Sequence, residues 1–103
     1  MKEKRINHLV IFCLKSGKNS PETSRFLEDG RSILSSITVT ENFKVLNQVS
    51  LKNDYEFGFS MEFANKEAYA KYNSHPSHLA FVKDRWENEV ATFLEIDFED
   101  ILG

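Results

Sequence analysis

The sequence predicts an α+β chain of the ferredoxin-like class, β-α-β-β-α-β, with a four-stranded antiparallel sheet and its helices on one face. Three observations predict it. Four runs have the β-branched and aromatic composition of strands. Helical periodicity falls after the first and third of these runs, while only a short turn separates the second from the third. Two right-handed β-α-β halves then interleave into one antiparallel sheet. At 103 residues the chain has room for one core, so residues 1–103 are expected to form a single domain.

The first run is "INHLVIFCLK", residues 6–15, closed by "SGKNSP". One face carries Ile6, His8, Val10, Phe12 and Leu14; the other carries Leu9, Ile11 and Cys13. A strand apolar on both faces is expected to be covered on both. In "NSPETSRFLEDGRSILSSI" Ser20 suits the N-cap, Pro21 the first helical position and Glu22 the positive end of the helix dipole. Phe26, Leu27, Ile33, Leu34 and Ile37 recur at helical spacing, and Gly30 among them reads as a close approach to the sheet.

"NFKVLNQVSL", residues 42–51, and "YEFGFSMEFA", residues 55–64, read as a hairpin turned by "KND". Phe43, Val45, Val49 and Leu51 share one side of the first; Tyr55, Phe57, Phe59, Met61 and Phe63 alternate along the second. Asn65 suits the cap of a short helix running through Tyr72. Pro76 disfavours helical geometry at His75, so one helix should end there and another start. Leu79, Val82, Trp86 and Val90 form the expected buried stripe of that helix. "ATFLEIDFED" alternates Leu94, Ile96 and Phe98 with Glu95, Asp97 and Glu99 and makes the last strand. Because helices cover only one face of such a sheet, the apolar second face of the first strand predicts a homodimer joined sheet to sheet.

Composition narrows the function. Sixteen acidic against thirteen basic residues, a net charge of −3, leave no positive face for nucleic acid. The "KEKR" cluster at positions 2–5 reads as a solvated arm. No apolar run approaches the ~20 residues of a spanning helix, so no membrane is expected. The one cysteine fits a reducing, cytoplasmic compartment.

Chemistry concentrates in "KYNSHPSHLAF", residues 71–81. At about 100° per residue, His75 and His78 both turn toward the buried side of the helix, and Tyr72 reaches the same region. His8 joins them if its face lies beneath the helices. Histidine exchanges protons near neutral pH, and a tyrosine hydroxyl orients a carbonyl oxygen. The same residue types also cap helix ends, and the residues alone leave both readings open. His75-x-x-His78 has no third ligand nearby, so no metal site is expected. Cys13 sits mid-strand as a small hydrophobe, and the scattered glycines form no phosphate loop.

"INHLVIFCLK", "YEFGFSMEF", "LEIDFE" and above all "YNSHPSHLAF", which matches a Y-x-x-H-P-x-H-x-x-F pattern, together resemble the stress-responsive α/β-barrel (Dabb) family over nearly the whole chain. The resemblance implies a dimeric α+β barrel working without a cofactor. One plant member is a polyketide cyclase that closes a linear chain by an aldol condensation. Its catalytic histidine and tyrosine fall on His78 and Tyr72, and its strand-one histidine on His8. That implies His78 as base, Tyr72 as carbonyl-orienting group and a cavity lined by His8, Val10, Phe12, Phe26, Phe59, His75 and Phe81. Two expectations result: a domain binding a small apolar or carbonyl-containing ligand, or a cofactor-free cyclase or lyase. The cyclase requires a cavity of roughly 300 Å³ or more beside Tyr72 and His78.

Overall fold

The computed structural model describes residues 4–102. The chain runs β1 (Ile6–Leu14), α1 (Pro21–Ser35), β2 (Glu41–Asn47), β3 (Phe57–Phe63), α2 (Lys66–Ser74) and α3 (Pro76–Phe81). A π-helical turn (Val82–Trp86) and a last turn, α4 (Glu87–Glu89), lead into β4 (Val90–Glu99). The sheet order is β2-β3-β1-β4 with every neighbouring pair antiparallel, the expected ferredoxin-like arrangement. Of the basic cluster, Lys2 and Glu3 lie outside the described residues, whereas Arg5 bridges Glu41 at 2.8 Å and Glu62 at 3.1 Å.

Strand register assigns the two faces. His8 lies opposite Met61 on β3 and Asp97 on β4; Val10 lies opposite Phe59 and Glu95; Phe12 lies opposite Phe57 and Phe93. These residues share the helix-covered face, because directly paired residues project to the same side. Ile6, His8, Val10, Phe12 and Leu14 are all buried there. Leu9, Ile11, Leu94, Ile96 and Phe98 share the open face. The acidic side of β4 therefore faces the helices and its apolar side faces outward.

Helix starts obey their caps. Ser20 Oγ accepts the Thr23 amide at 3.1 Å and Asn65 Oδ1 accepts the Ala68 amide at 2.8 Å. Phe26, Leu34 and Ile37 are buried as expected, with Leu27 and Ile33 packed at the margin. Gly30 is a true close approach: a Cβ there would stand 2.7 Å from Phe59 Cζ and 3.3 Å from Phe81 Cζ.

Two expectations are corrected. β2 stops at Asn47, and Val49 and Leu51 are exposed loop residues. One backbone bond follows, from the Gln48 amide to the Glu56 carbonyl at 2.9 Å, and side chains hold the loop beyond it: Gln48 Nε2 donates to the Tyr55 carbonyl at 2.7 Å and Asn53 Oδ1 accepts the Tyr55 amide at 2.9 Å. In the helix after Pro76, Leu79 is 55% exposed and Phe81 is buried in its place. The π-turn, in which the Glu87 amide reaches the Val82 carbonyl, adds a residue to the turn and rotates the chain beyond it. A uniform helical count misses that rotation.

Candidate functional site

Pro76 makes the corner between α2 and α3, and the residues around it divide into two roles. His75 Nδ1 accepts the Ser77 amide at 3.1 Å and so caps α3. Tyr72, in the last turn of α2, is 3% exposed, with its ring 4.5 Å from that of His78, 5.0 Å from Phe63 and 6.4 Å from His8.

His78 Nδ1 lies 3.1 Å from the Asn73 carbonyl oxygen. A carbonyl only accepts, so this contact assigns the proton to Nδ1 and leaves the Nε2 lone pair available. Burial lowers the His78 pKa from its ordinary value, partly offset by the Asn73 carbonyl and the Glu95 charge. Burial also pushes the Tyr72 phenol well above its ordinary value, with Tyr69 and Glu95 adding to it. Tyr72 is thus a hydrogen-bond donor throughout the neutral range, and His78 a neutral imidazole.

Both side chains line a cavity of about 220 Å³ between the sheet and the helices. His8, Val10, Phe59 and Met61 come from the sheet floor, Leu34 from α1 and Phe81 from α3. Val82 and Trp86 reach it from the π-turn, and Phe93 and Glu95 from β4. The lining is mostly apolar with a few convergent polar groups, the pattern of a small-molecule site. Among the described residues no three histidine, cysteine, aspartate or glutamate side chains gather as metal ligands.

Of the nine residues singled out from sequence, His8, Val10, Phe59, Tyr72, His78 and Phe81 meet at this cavity. Phe12 and Phe26, both fully buried, pack behind Phe59 with ring centroids 4.9 and 6.2 Å from it. They support the floor without lining it. His75 is the third outside the lining, because its ring turns back onto the start of α3.

Sequence reasoning missed Glu95, Asp97 and Tyr69. His8 Nδ1 lies 2.5 Å from Asp97 Oδ1, and the Tyr69 hydroxyl donates to Asp97 Oδ2 at 3.0 Å. A charged strand side ordinarily signals solvent. The available signal was Phe93, which has the same parity as Glu95 and Asp97 and marks their side as facing inward.

A model of the stress responsive A/B barrel domain, Dabb, matches residues 6–100. The chain belongs to the Dabb family. A Dabb protein with a ferredoxin-like fold from Mesorhizobium loti is 52% identical, with a TM-score of 0.93 over 98% of this chain and 100% of that one. A dimeric ferredoxin-like protein from Thermobifida fusca is 15% identical, with a TM-score of 0.79 over 97% of this chain and 94% of that one. Hydroxynitrile lyase from Passiflora edulis is 10% identical, with a TM-score of 0.83 over 97% of this chain and 96% of that one. At the last two identities the likeness is one of fold. No curated protein sequence matches this Dabb chain.

Proposed function

We propose that this Dabb protein binds a compact carbonyl-bearing molecule in the cavity and acts on it by proton transfer without a cofactor. His78 Nε2 is the base and the Tyr72 hydroxyl holds the carbonyl oxygen. The observation that carries this reading is the hydrogen bond from His78 Nδ1 to the Asn73 carbonyl. It commits one ring nitrogen as donor and frees the other as acceptor, beside a phenol that burial keeps protonated.

Size decides between the candidate chemistries. The cavity of about 220 Å³ falls below the roughly 300 Å³ at which drug-sized sites begin. A linear polyketide with a tail exceeds it, whereas a single-ring aldehyde, ketone or hydroxynitrile is of the right scale. Abstraction of a proton from the carbon beside the carbonyl of such a compact molecule, with lyase-type elimination there, is therefore favoured over cyclisation of a long chain. The Passiflora protein bears a lyase name on the same fold, but the reading rests on the cavity of this chain.

The working form is a homodimer paired through the open sheet face, where Leu9, Ile11, Leu94, Ile96 and Phe98 present a contiguous apolar surface. The Thermobifida fusca relative is dimeric. The lone cysteine, Cys13, fits a reducing, cytoplasmic setting.

The test is calorimetric titration with benzaldehyde and with its n-octyl-substituted analogue. Saturable binding of the first and none of the second is expected. No binding of benzaldehyde, or equal binding of both, overturns the proposed site.

A further inference from the structure

The cavity contains a second histidine, and its surroundings differ in kind from those of His78. His8 is 5% exposed and contributes to the cavity floor. Its partner Asp97 stands directly across from it on β4, the two residues forming a cross-strand pair on the helix-covered face. Asp97 Oδ1 is 2.5 Å from His8 Nδ1. An ionised carboxylate only accepts, so Nδ1 carries a proton here too and Nε2 is the nitrogen left for the cavity. Tyr69 of α2 braces this pair from above. Its hydroxyl donates to Asp97 Oδ2 at 3.0 Å, its oxygen lies 3.1 Å from His8 Nδ1, and its ring centroid is 5.2 Å from that of His8.

The two histidines thus have unlike backing. His78 leans on a neutral carbonyl, and His8 on a carboxylate that a tyrosine hydroxyl orients. A carboxylate behind an imidazole stabilises the imidazolium, which a backbone carbonyl does far less. Tyr72 stands between them, its ring 4.5 Å from His78 and 6.4 Å from His8.

We propose that His8 is the acid that complements His78, with Asp97 and Tyr69 as its positioning residues. This rests on the reading of His78 as base. In the step, His78 Nε2 takes a proton from the ligand carbon, and the electron pair of the broken C–H bond moves into a new C=C bond while the carbonyl electrons move to oxygen. That oxygen, held by Tyr72, takes the Nε2 proton of the His8 imidazolium, whose remaining Nδ1–H stays on Asp97. One proton leaves the ligand and one arrives. Before the reverse transfers restore the carbonyl and both rings, water entering the cavity exchanges the proton held on His78 Nε2 for one from solvent.

The test has two arms on the full chain. The first is ligand-free: nitrogen-15 spectra of the imidazoles in the wild type, Asp97→Asn and Tyr69→Phe. A protonated Nδ1 on His8 that Asp97→Asn removes or redistributes, with the His78 signals unmoved, is expected; a wild-type Nδ1 without a proton overturns the assignment. The second is wash-in of deuterium from heavy water into the benzylic position of 1-phenylpropan-2-one. His78→Ala should abolish it, Asp97→Asn should lower it about 100-fold, and Tyr69→Phe should fall between Asp97→Asn and the wild type. Exchange lost in His78→Ala but unchanged in Asp97→Asn overturns the role of His8 and leaves the proposed function standing. No enzymatic exchange in the wild type, or exchange indifferent to His78→Ala, overturns both.

Discussion

The imidazole of His78 packs 4.5 Å from the ring of Tyr72 while its Nδ1 is tied to the Asn73 carbonyl at 3.1 Å. Two adjacent residues near the end of α2 thereby set both the place and the tautomer of one side chain. Removing that side chain should separate binding from chemistry. His78→Ala is expected to keep the affinity for a small aryl ketone within a few-fold while its proton exchange falls about 100-fold or more. Calorimetry and deuterium wash-in read the two quantities. Equal losses in both would mean that His78 serves only as a wall.

The lowered pKa of His78 fixes the sign of its pH dependence. The proton-accepting form persists below pH 6.5, the ordinary value, so the acid limb of the exchange rate should lie below that of free imidazole. Stability obeys the same linkage. The unfolded chain protonates at about 6.5 and the folded chain only at lower pH, so the unfolded state holds more protons in between. The contribution of neutral His78 is fully present above pH 6.5 and declines as the pH falls toward the folded value. Urea unfolding of the wild type and His78→Gln across that range should show the gap; an acid limb above 6.5 contradicts the buried, neutral assignment.

His75 should behave in the opposite way to His78. Its ring caps α3 and stands outside the cavity lining. His75→Ala should cost about 0.5–2 kcal/mol of stability, the range for losing a helix cap, and leave small-ketone affinity unchanged. Urea unfolding and titration check both halves.

Gly30 sets the space available to Phe59 and Phe81. A methyl group at this position would meet Phe59 Cζ at 2.7 Å, and the ring can retreat only toward the cavity or into the rings around it, Phe12, Phe26, Phe43 and Trp86. Gly30→Ala should therefore destabilise the fold by about 1–3 kcal/mol as an overpacked core. It should also weaken single-ring ligands more than acetone. A stability gain, as expected for an unconstrained helix glycine, would refute the tight contact.

The open sheet face gives the last prediction. Leu94 is half-exposed and pairs with Ile11 on that face. Leu94→Asp places a charge in the middle of the apolar patch, so sedimentation at micromolar concentration should report a dimer for the wild type and a monomer for the variant. The circular dichroism spectrum should stay the same. A monomeric wild type removes the sheet-to-sheet pairing.

Much of the molecule was legible in local pattern. Ser20, Pro21 and Asn65 mark helix starts because capping is a contact over three residues. Alternation from Phe57 to Phe63 identifies β3 because a strand repeats every two residues, although Tyr55, which continues the pattern, lies in the preceding loop. Where local pattern met competing interactions it failed. Val49 and Leu51 continue an apolar side but fall in a loop held by Gln48 and Asn53. Leu79 keeps a helical spacing that the π-turn breaks.

The sequence by itself determined the elements, their order, the corner at Pro76 and the two residues, Tyr72 and His78, that meet there, since all of these depend on contacts within a few residues. Tertiary structure decided what surrounds them. Asp97 reaches His8 across 89 positions of chain, and Glu95 joins the cavity although its strand reads as solvated on that side. Cross-strand register is a long-range relation, set by which strand lies beside which and not by any residue's neighbours in sequence. The size of the cavity, about 220 Å³, was equally out of reach. It depends on how closely Gly30 lets α1 approach Phe59, and a side-chain volume becomes a cavity volume only once the packing partners are in place.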